Sequence, residues 1–191
     1  MSASPIRETN NHAKPIADSY WISEPSLPAG RLLAGEYPGA KDPAAARAKL
    51  ERFLDAGVTT FIDLTEEDEY VLRPYAAEVG RLAARRGITL THLRWPIPDM
   101  TAPSPAQMAR ILDAIDAALA AGETVYVHCY GGIGRTGTVI GCWLVRRGLN
   151  GEEALSYIAA RRAGTPDGRR ASPETSAQRA LVLNWSEGSN S

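Results

Sequence analysis

Val125-Tyr126-Val127-His128-Cys129-Tyr130-Gly131-Gly132-Ile133-Gly134-Arg135-Thr136-Gly137-Thr138 is the stretch on which the reading of this chain turns. β-Branched and aromatic residues lead up to His128, Gly131, Gly132 and Gly134 follow, and the apolar run Val139 to Val145 continues behind them. That order reads as a strand, a tight turn and a helix, the place in an α/β sheet where ligands gather. Glycines let the turn curl so that successive N–H groups point inward, and the helix behind adds the positive end of its dipole. The result is a cradle for an anion the size of phosphate. Cys129 stands at its base, where the same N–H groups favour a thiolate. Arg135 has a planar fork able to return over the loop and hold two phosphate oxygens. Tyr130, Gly131, Gly132, Ile133 and Gly134 form the phosphate-binding turn between them.

Working outward, helix punctuation recurs. Asp42-Pro43, Ser104-Pro105 and Ser172-Pro173 each place a capping side chain before a proline at the first helical position. Gly57, Gly87, Gly122 and Gly148 stand where helices should stop. Met108, Ile111, Leu112, Ile115 and Leu119 recur at helical spacing and predict a helix between Pro105 and Ala121 with one buried stripe. Val58 to Leu64, Ile88 to Leu93 and Thr124 to His128 read as strands. The alternation predicts a single α/β domain over residues 18–185, with a central, mainly parallel twisted sheet flanked by helices. Residues 1–17 and 186–191 are polar and lack apolar periodicity, and are expected to be disordered.

Composition sets further bounds. The chain has 191 residues, 44% of them apolar and 23% charged, enough for one sizeable core. Its 21 basic and 22 acidic side chains leave a formal charge of -1, so no global field recruits nucleic acid or an anionic membrane, and neither is expected as a partner. The longest apolar run, Val139 to Val145, is far short of a bilayer span, and the N-terminus lacks the apolar core of a signal peptide. A cytoplasmic protein is expected; its oligomeric state is not readable. Cys129 and Cys142 are too few for a disulfide framework and lack the clustered partners of a zinc site. Cys142, within an apolar helix, reads as core packing. No metal or cofactor is expected.

Residues 128–136 resemble the His-Cys-x-x-Gly-x-x-Arg-Thr signature of the cysteine-dependent protein tyrosine and dual-specificity phosphatases. The similarity runs over roughly residues 20–185 and is nearest to compact bacterial dual-specificity-like members. It implies that Cys129 attacks phosphorus and Arg135 binds the equatorial oxygens. It also implies that the Thr136 hydroxyl eases departure of the thiolate, and that His128 fixes the loop and favours the thiolate.

A general acid must protonate the leaving oxygen, and Asp99, in Arg94-Trp95-Pro96-Ile97-Pro98-Asp99-Met100, is its candidate. The family keeps such an acid on a Pro-and-Asp loop at about this distance from the cysteine. Asp63-Leu64-Thr65-Glu66-Glu67-Asp68-Glu69-Tyr70 contains rival acids, Asp68 first, but is expected to be a solvated loop, with Tyr70 a candidate for the pocket wall. Ser172 to Leu181 resembles the helix start where two glutamines orient the hydrolytic water. Glu174 stands in place of the first glutamine, and Gln178, the second, is either a catalytic auxiliary or an exposed helix residue.

Tyr130, Gly131, Gly132 and Ile133 carry no charge, which points to a phosphate monoester with little additional negative charge. Phosphotyrosine in proteins leads, with a dual-specificity range or a small phosphomonoester behind it. Arg161, Arg162, Arg169 and Arg170 either contact an acidic substrate flank or only solvate a surface. Two other classes stay open: a rhodanese-like sulfurtransferase, and a phosphate-binding module without turnover.

Overall fold

The computed structural model describes residues 13–23 and 29–186. Among them, five short strands form one sheet: β1 (Ser19–Ile22), β2 (Arg31–Gly35), β3 (Thr60–Asp63), β4 (Thr91–Arg94) and β5 (Thr124–His128), in the order β1-β2-β5-β3-β4. Only the β1–β2 pair is antiparallel. The mainly parallel sheet therefore stands as expected, with an antiparallel edge that the strand-like runs did not disclose.

Side chains alternate across the sheet, as the period of two demands. Leu32, Ala34, Ile62, Val125 and Val127 face a core shared with helices α3 (Pro105–Ala120), α4 (Gly134–Arg146), α5 (Gly151–Arg162) and α6 (Ser176–Leu183). Leu33, Phe61 and Tyr126 face the opposite core, closed by α1 (Pro43–Asp55) and α2 (Ala76–Arg85). Both faces are covered, the usual condition of parallel strands. Ile16 packs into the second core, so packed structure starts before residue 18. Residues 1–12 and 187–191 of the expected tails lie outside the described residues. No helix among the described residues is long and apolar enough to cross a membrane.

The caps follow the sequence at two of three places. Asp42 accepts from the Ala45 N–H at 2.8 Å, and Ser104 accepts from the Gln107 N–H at 3.2 Å. Behind α1, α2, α3 and α4 the chain turns at Gly57, Gly87, Gly122 and Gly148, all at positive φ. Ser172-Pro173 is the exception. Its peptide bond is cis, no helix starts there, and the Ser172 hydroxyl instead donates to the Ile133 carbonyl at 2.7 Å. α6 begins later, with Thr175 as its cap and Gln178 closing a capping box.

Register brings the site together. Gly35 and Asp63 each lie opposite His128, and Asp63 lies opposite Arg94, so the carboxyl ends of four strands form one row. The loops after them meet above it. The glycine turn and the loop after β2 approach tightly at Gly132, with φ of 68°, where an added Cβ would lie 2.4 Å from the Gly35 carbonyl carbon. Gly132→Ala should therefore destabilise the fold by about 2 kcal/mol or more, since the left-handed backbone alone costs an L residue roughly 1–2 kcal/mol. A thermal melt checks this, and the stabilisation conferred by inorganic phosphate should fall with it.

Candidate active site

Arg135 organises the site. It lies in the first turn of α4, one residue past the glycine turn, and its side chain is 1% exposed. A buried cation needs carboxylates. Glu69 supplies one: its two oxygens accept from Nη1 at 2.6 Å and Nη2 at 2.5 Å. Asp99 supplies a second, with Oδ1 3.0 Å from Nη2. The carbonyls of Ile97 and Leu64 also accept from Nη1, at 3.0 and 3.4 Å. Burial works against the charge, but Glu69 above all, with Cys129 and Asp99, holds the guanidinium protonated. Its Nε, buried, has no partner, and the buried Thr136 hydroxyl also has none. Consecutive residues behind the glycine turn thus each keep a buried polar atom free for a hydrogen bond, as an anion-binding turn requires.

Asp99 stands where sequence placed it, on the loop after β4. Ile97, buried, anchors that loop by donating from its N–H to the Leu64 carbonyl at 3.1 Å. Thr101 closes a turn by donating from both its N–H and its hydroxyl to the Pro98 carbonyl. The free Asp99 oxygen, Oδ2, accepts from the Tyr70 hydroxyl at 2.5 Å, a bond that raises the phenol's pKa. Adjacent residues thus grip two different groups: Glu69 holds Arg135 and Tyr70 holds Asp99. Their segment is strained, with Asp68 and Tyr70 both at positive φ.

The acidic loop is therefore not simply solvated. Glu69 turns inward on Arg135, while Asp63 is wholly buried at the end of β3. Burial would raise the Asp63 pKa, but hydrogen bonds from His92 and Thr65 and the field of His128 outweigh it and hold the carboxyl well below the usual carboxylate range. Asp68 makes no side-chain cap bond where it precedes the turn Glu69–Val71. Tyr70 lines the pocket, as expected. Which carboxylate would meet Arg135 had no signal in the sequence beyond the need of a buried arginine for a partner.

His128 is fully buried between aromatic rings. Its Nε2 lies 2.6 Å from the Tyr75 hydroxyl and its Nδ1 lies 3.2 Å from the Cys129 carbonyl. A neutral ring accepting from Tyr75 and donating to that carbonyl satisfies both contacts, and burial pushes the ring's pKa down to about 4. The histidine thus holds the backbone of Cys129 in place.

Gln178 is not an exposed helix residue. It is 1% exposed, its side-chain oxygen accepts from the N–H groups of Glu174 and Thr175 at 3.1 Å, and its Nε2 donates to the Thr101 carbonyl at 2.9 Å. It also lies against Gly134. One amide therefore braces the Asp99 loop and the glycine turn against α6. Glu174 is paired with Arg170 at 2.5 Å. Cys142 is buried in α4, and burial pushes its thiol pKa up, in keeping with a packing role. Of the four arginines singled out in sequence, Arg170 lines the pocket, while Arg162, buried, donates to the carbonyls of Arg170 and Asp167 and holds that wall.

Cys129, Tyr130, Gly131, Ile133, Gly134, Arg135, Asp99 and Gln178 all line one cavity of about 610 Å³. Sequence reasoning missed its other wall, which comes from the loop after β2 and from α1: Tyr37, Lys41 and Lys49, with Arg73 beside them. The Tyr37 N–H donates to the Tyr130 carbonyl at 2.9 Å, and its hydroxyl to the Arg73 carbonyl at 2.9 Å.

Comparison with known proteins places this geometry. Residues 37–149 match the family model described as "Polymorphic toxin system, DSP-PTPase phosphatase". The solved structure of Tk-PTP in its active form is 32% identical, with a TM-score of 0.61 over 81% of this chain and 89% of that one. The putative tyrosine phosphatase 067L of Invertebrate iridescent virus 3 is 30% identical over 61% of this chain and 43% of its own length. PTEN1 of Arabidopsis thaliana, named a phosphatidylinositol 3,4,5-trisphosphate 3-phosphatase and protein-tyrosine-phosphatase, is 31% identical over 82% of this chain and 36% of its own. The chain thus spans about two fifths of the length of these curated relatives.

The buried His128 gives the site a pH signature. The unfolded chain binds a proton on this histidine near pH 6.5, whereas the folded protein resists it until about pH 4. Stability contributed above pH 6.5 is therefore lost as the pH falls between those values, by an amount on the order of 3 kcal/mol. Denaturant unfolding across that window should show the decline, and His128→Asn, less stable at neutral pH, should flatten it. An unchanged slope in the variant would assign it to other groups.

Proposed function

We propose that this chain, which belongs to the DSP-PTPase phosphatase family, hydrolyses phosphate monoesters, phosphotyrosine in proteins foremost, through a phosphocysteine on Cys129. The observation that carries this reading is the buried, unpartnered Nε of Arg135 beside a cysteine-based glycine turn, with the rest of the guanidinium already held by Glu69. Family membership leaves the sulfurtransferase alternative without support.

In the first step the Cys129 thiolate attacks phosphorus while the bond to the leaving oxygen breaks. Asp99, in its protonated form, gives that oxygen its proton. Arg135 and the N–H groups of residues 130–135 neutralise charge on the equatorial oxygens. In the second step water attacks phosphorus, its proton passes to the Asp99 carboxylate, and the S–P bond breaks with help from the Thr136 hydroxyl. Gln178 holds the Asp99 loop against the glycine turn throughout, which makes it a positioning residue. A neutral His128 contributes by fixing the Cys129 carbonyl.

Hydrolysis of p-nitrophenyl phosphate with chelator present tests the chemistry. Wild type should turn over undiminished, and Cys129→Ser should lose several orders of magnitude while still binding a phosphate mimic. Binding without turnover by wild type would make the protein a recognition module instead. Arg135→Lys should fail despite its charge, because an ammonium cannot keep the paired contact with Glu69 and at the same time offer a further donor to phosphate, and the fall in kcat should exceed the rise in KM.

Asp99→Asn should depend on the leaving group. p-Nitrophenolate departs without a proton, tyrosine phenolate much less readily, so the loss should be larger on a phosphotyrosine peptide. Tyr70→Phe removes one of the two tethers of Asp99 and should lose in the same order, by a smaller factor. Equal losses on both substrates would take Asp99 out of the acid's role.

A further inference from the structure

The walls of the cavity around Cys129 carry opposite charge. On one side stand Lys41 and Arg73, both exposed, and neither has a carboxylate within 4.0 Å among the described residues. Lys49, on the same side, is different: Glu36 and the Tyr37 carbonyl each lie 2.6 Å from its ammonium, so its charge is taken up. Tyr37 ties this wall to the glycine turn through its bonds to the Tyr130 and Arg73 carbonyls. Arg73 therefore rises from backbone held at a set place relative to Cys129, and Lys41 follows in the loop that Lys49 clasps through the Tyr37 and Gly39 carbonyls. Lys41 precedes α1 and Arg73 precedes α2, on one face of the sheet, whereas Asp167, Arg170 and Glu174 line the same cavity from the segment between α5 and α6, on the other face; there one guanidinium serves two carboxylates, at 3.6 and 2.5 Å. Arg162 fastens that wall through the Asp167 and Arg170 carbonyls. Uncharged Tyr70 and Tyr130, half-exposed or more with rings 5.0 Å apart, also line the cavity.

We infer that the pocket selects a phosphotyrosine bearing an acidic side chain on one flank, which Lys41 and Arg73 take up, and refuses the same charge on the other flank, where Asp167 and Glu174 stand. This rests on the phosphatase reading above and gives its substrate a polarity. It also revises the expectation drawn from the uncharged turn: the extra cations come from the loop after β2 and the segment ahead of α2, outside the signature. A polyanionic sugar headgroup fits less well, because phosphates spread around a ring would meet the acidic wall as well as the basic one. A peptide can segregate its charges.

Two phosphotyrosine peptides of identical composition test the inference, one with a glutamate pair before the phosphotyrosine and a lysine pair after it, the other with the order reversed. Wild type should prefer one order by about tenfold in kcat/KM at low salt, since exposed ion pairs each contribute a factor of roughly two to five. The preference should shrink at physiological salt. It should approach unity in a Lys41→Glu/Arg73→Glu variant and take an intermediate value in Lys41→Gln/Arg73→Gln. Equal turnover of the two orders would overturn the inference, as would a preference that survives both double variants. Stronger competition by an inositol polyphosphate than by the preferred peptide would overturn it in favour of a headgroup site. Loss of the underlying reading looks different: wild type would then fail on p-nitrophenyl phosphate, while fluorescence anisotropy of the same peptides would still read the asymmetry.

Discussion

A guanidinium enclosed to 1% exposure can persist only if charge of the opposite sign is brought to it, and the architecture above the sheet answers that demand at Arg135. Three segments meet on this one side chain. Glu69 arrives from the loop after β3, Asp99 and the Ile97 carbonyl from the loop after β4, and the arginine itself from the start of α4. Remove the cation and two carboxylates are left facing each other with nothing between them to neutralise either. Remove Glu69 and a charge is left with half its neutralisation. The strained backbone at Asp68 and Tyr70 is the conformation that lets neighbouring residues hold Arg135 and Asp99 at once.

The same edge of the sheet sorts its ionisable groups by burial. Asp63 and His128 sit opposite one another at strand ends, both fully buried: hydrogen bonds hold the first as carboxylate against its burial, and burial keeps the second a neutral imidazole. Neither faces the cavity. His128 secures the backbone from which Cys129 emerges, and the groups that do face the cavity come from loops and helices beyond the strand ends, where exposure to an incoming phosphate is possible. Scaffold and proposed chemistry are divided by depth, with the carboxyl row of the strands as the boundary.

How much of this was legible follows from the range over which each signal acts. The strand, turn and helix at residues 124–146 are written in local preference, and the register of β5 between β2 and β3 follows once both of its faces are apolar. Asp99 was legible from its proline-bracketed loop. Glu69 was not, because five carboxylates crowd residues 63–69 and only three-dimensional proximity distinguishes the one that turns inward. Ser172-Pro173 misled, since a serine before proline has the same appearance whether it caps a helix or reaches back to the Ile133 carbonyl. The basic wall was missed for a related reason: Lys41 and Arg73 lie far from the signature in sequence and come to its cavity only in the folded chain.

One contact has a bearing on how the chain can drift. A Cβ on Gly137, in the first turn of α4, would fall 2.2 Å from the Ser172 hydroxyl that is bonded to Ile133. Positions 137 and 172 consequently share a single allotment of space. A side chain gained at 137 would displace the hydroxyl at 172, and with it the clasp between the approach to α6 and the phosphate turn. The choice of residue at one of these sites therefore constrains the other, although they lie on different elements and far apart in the chain.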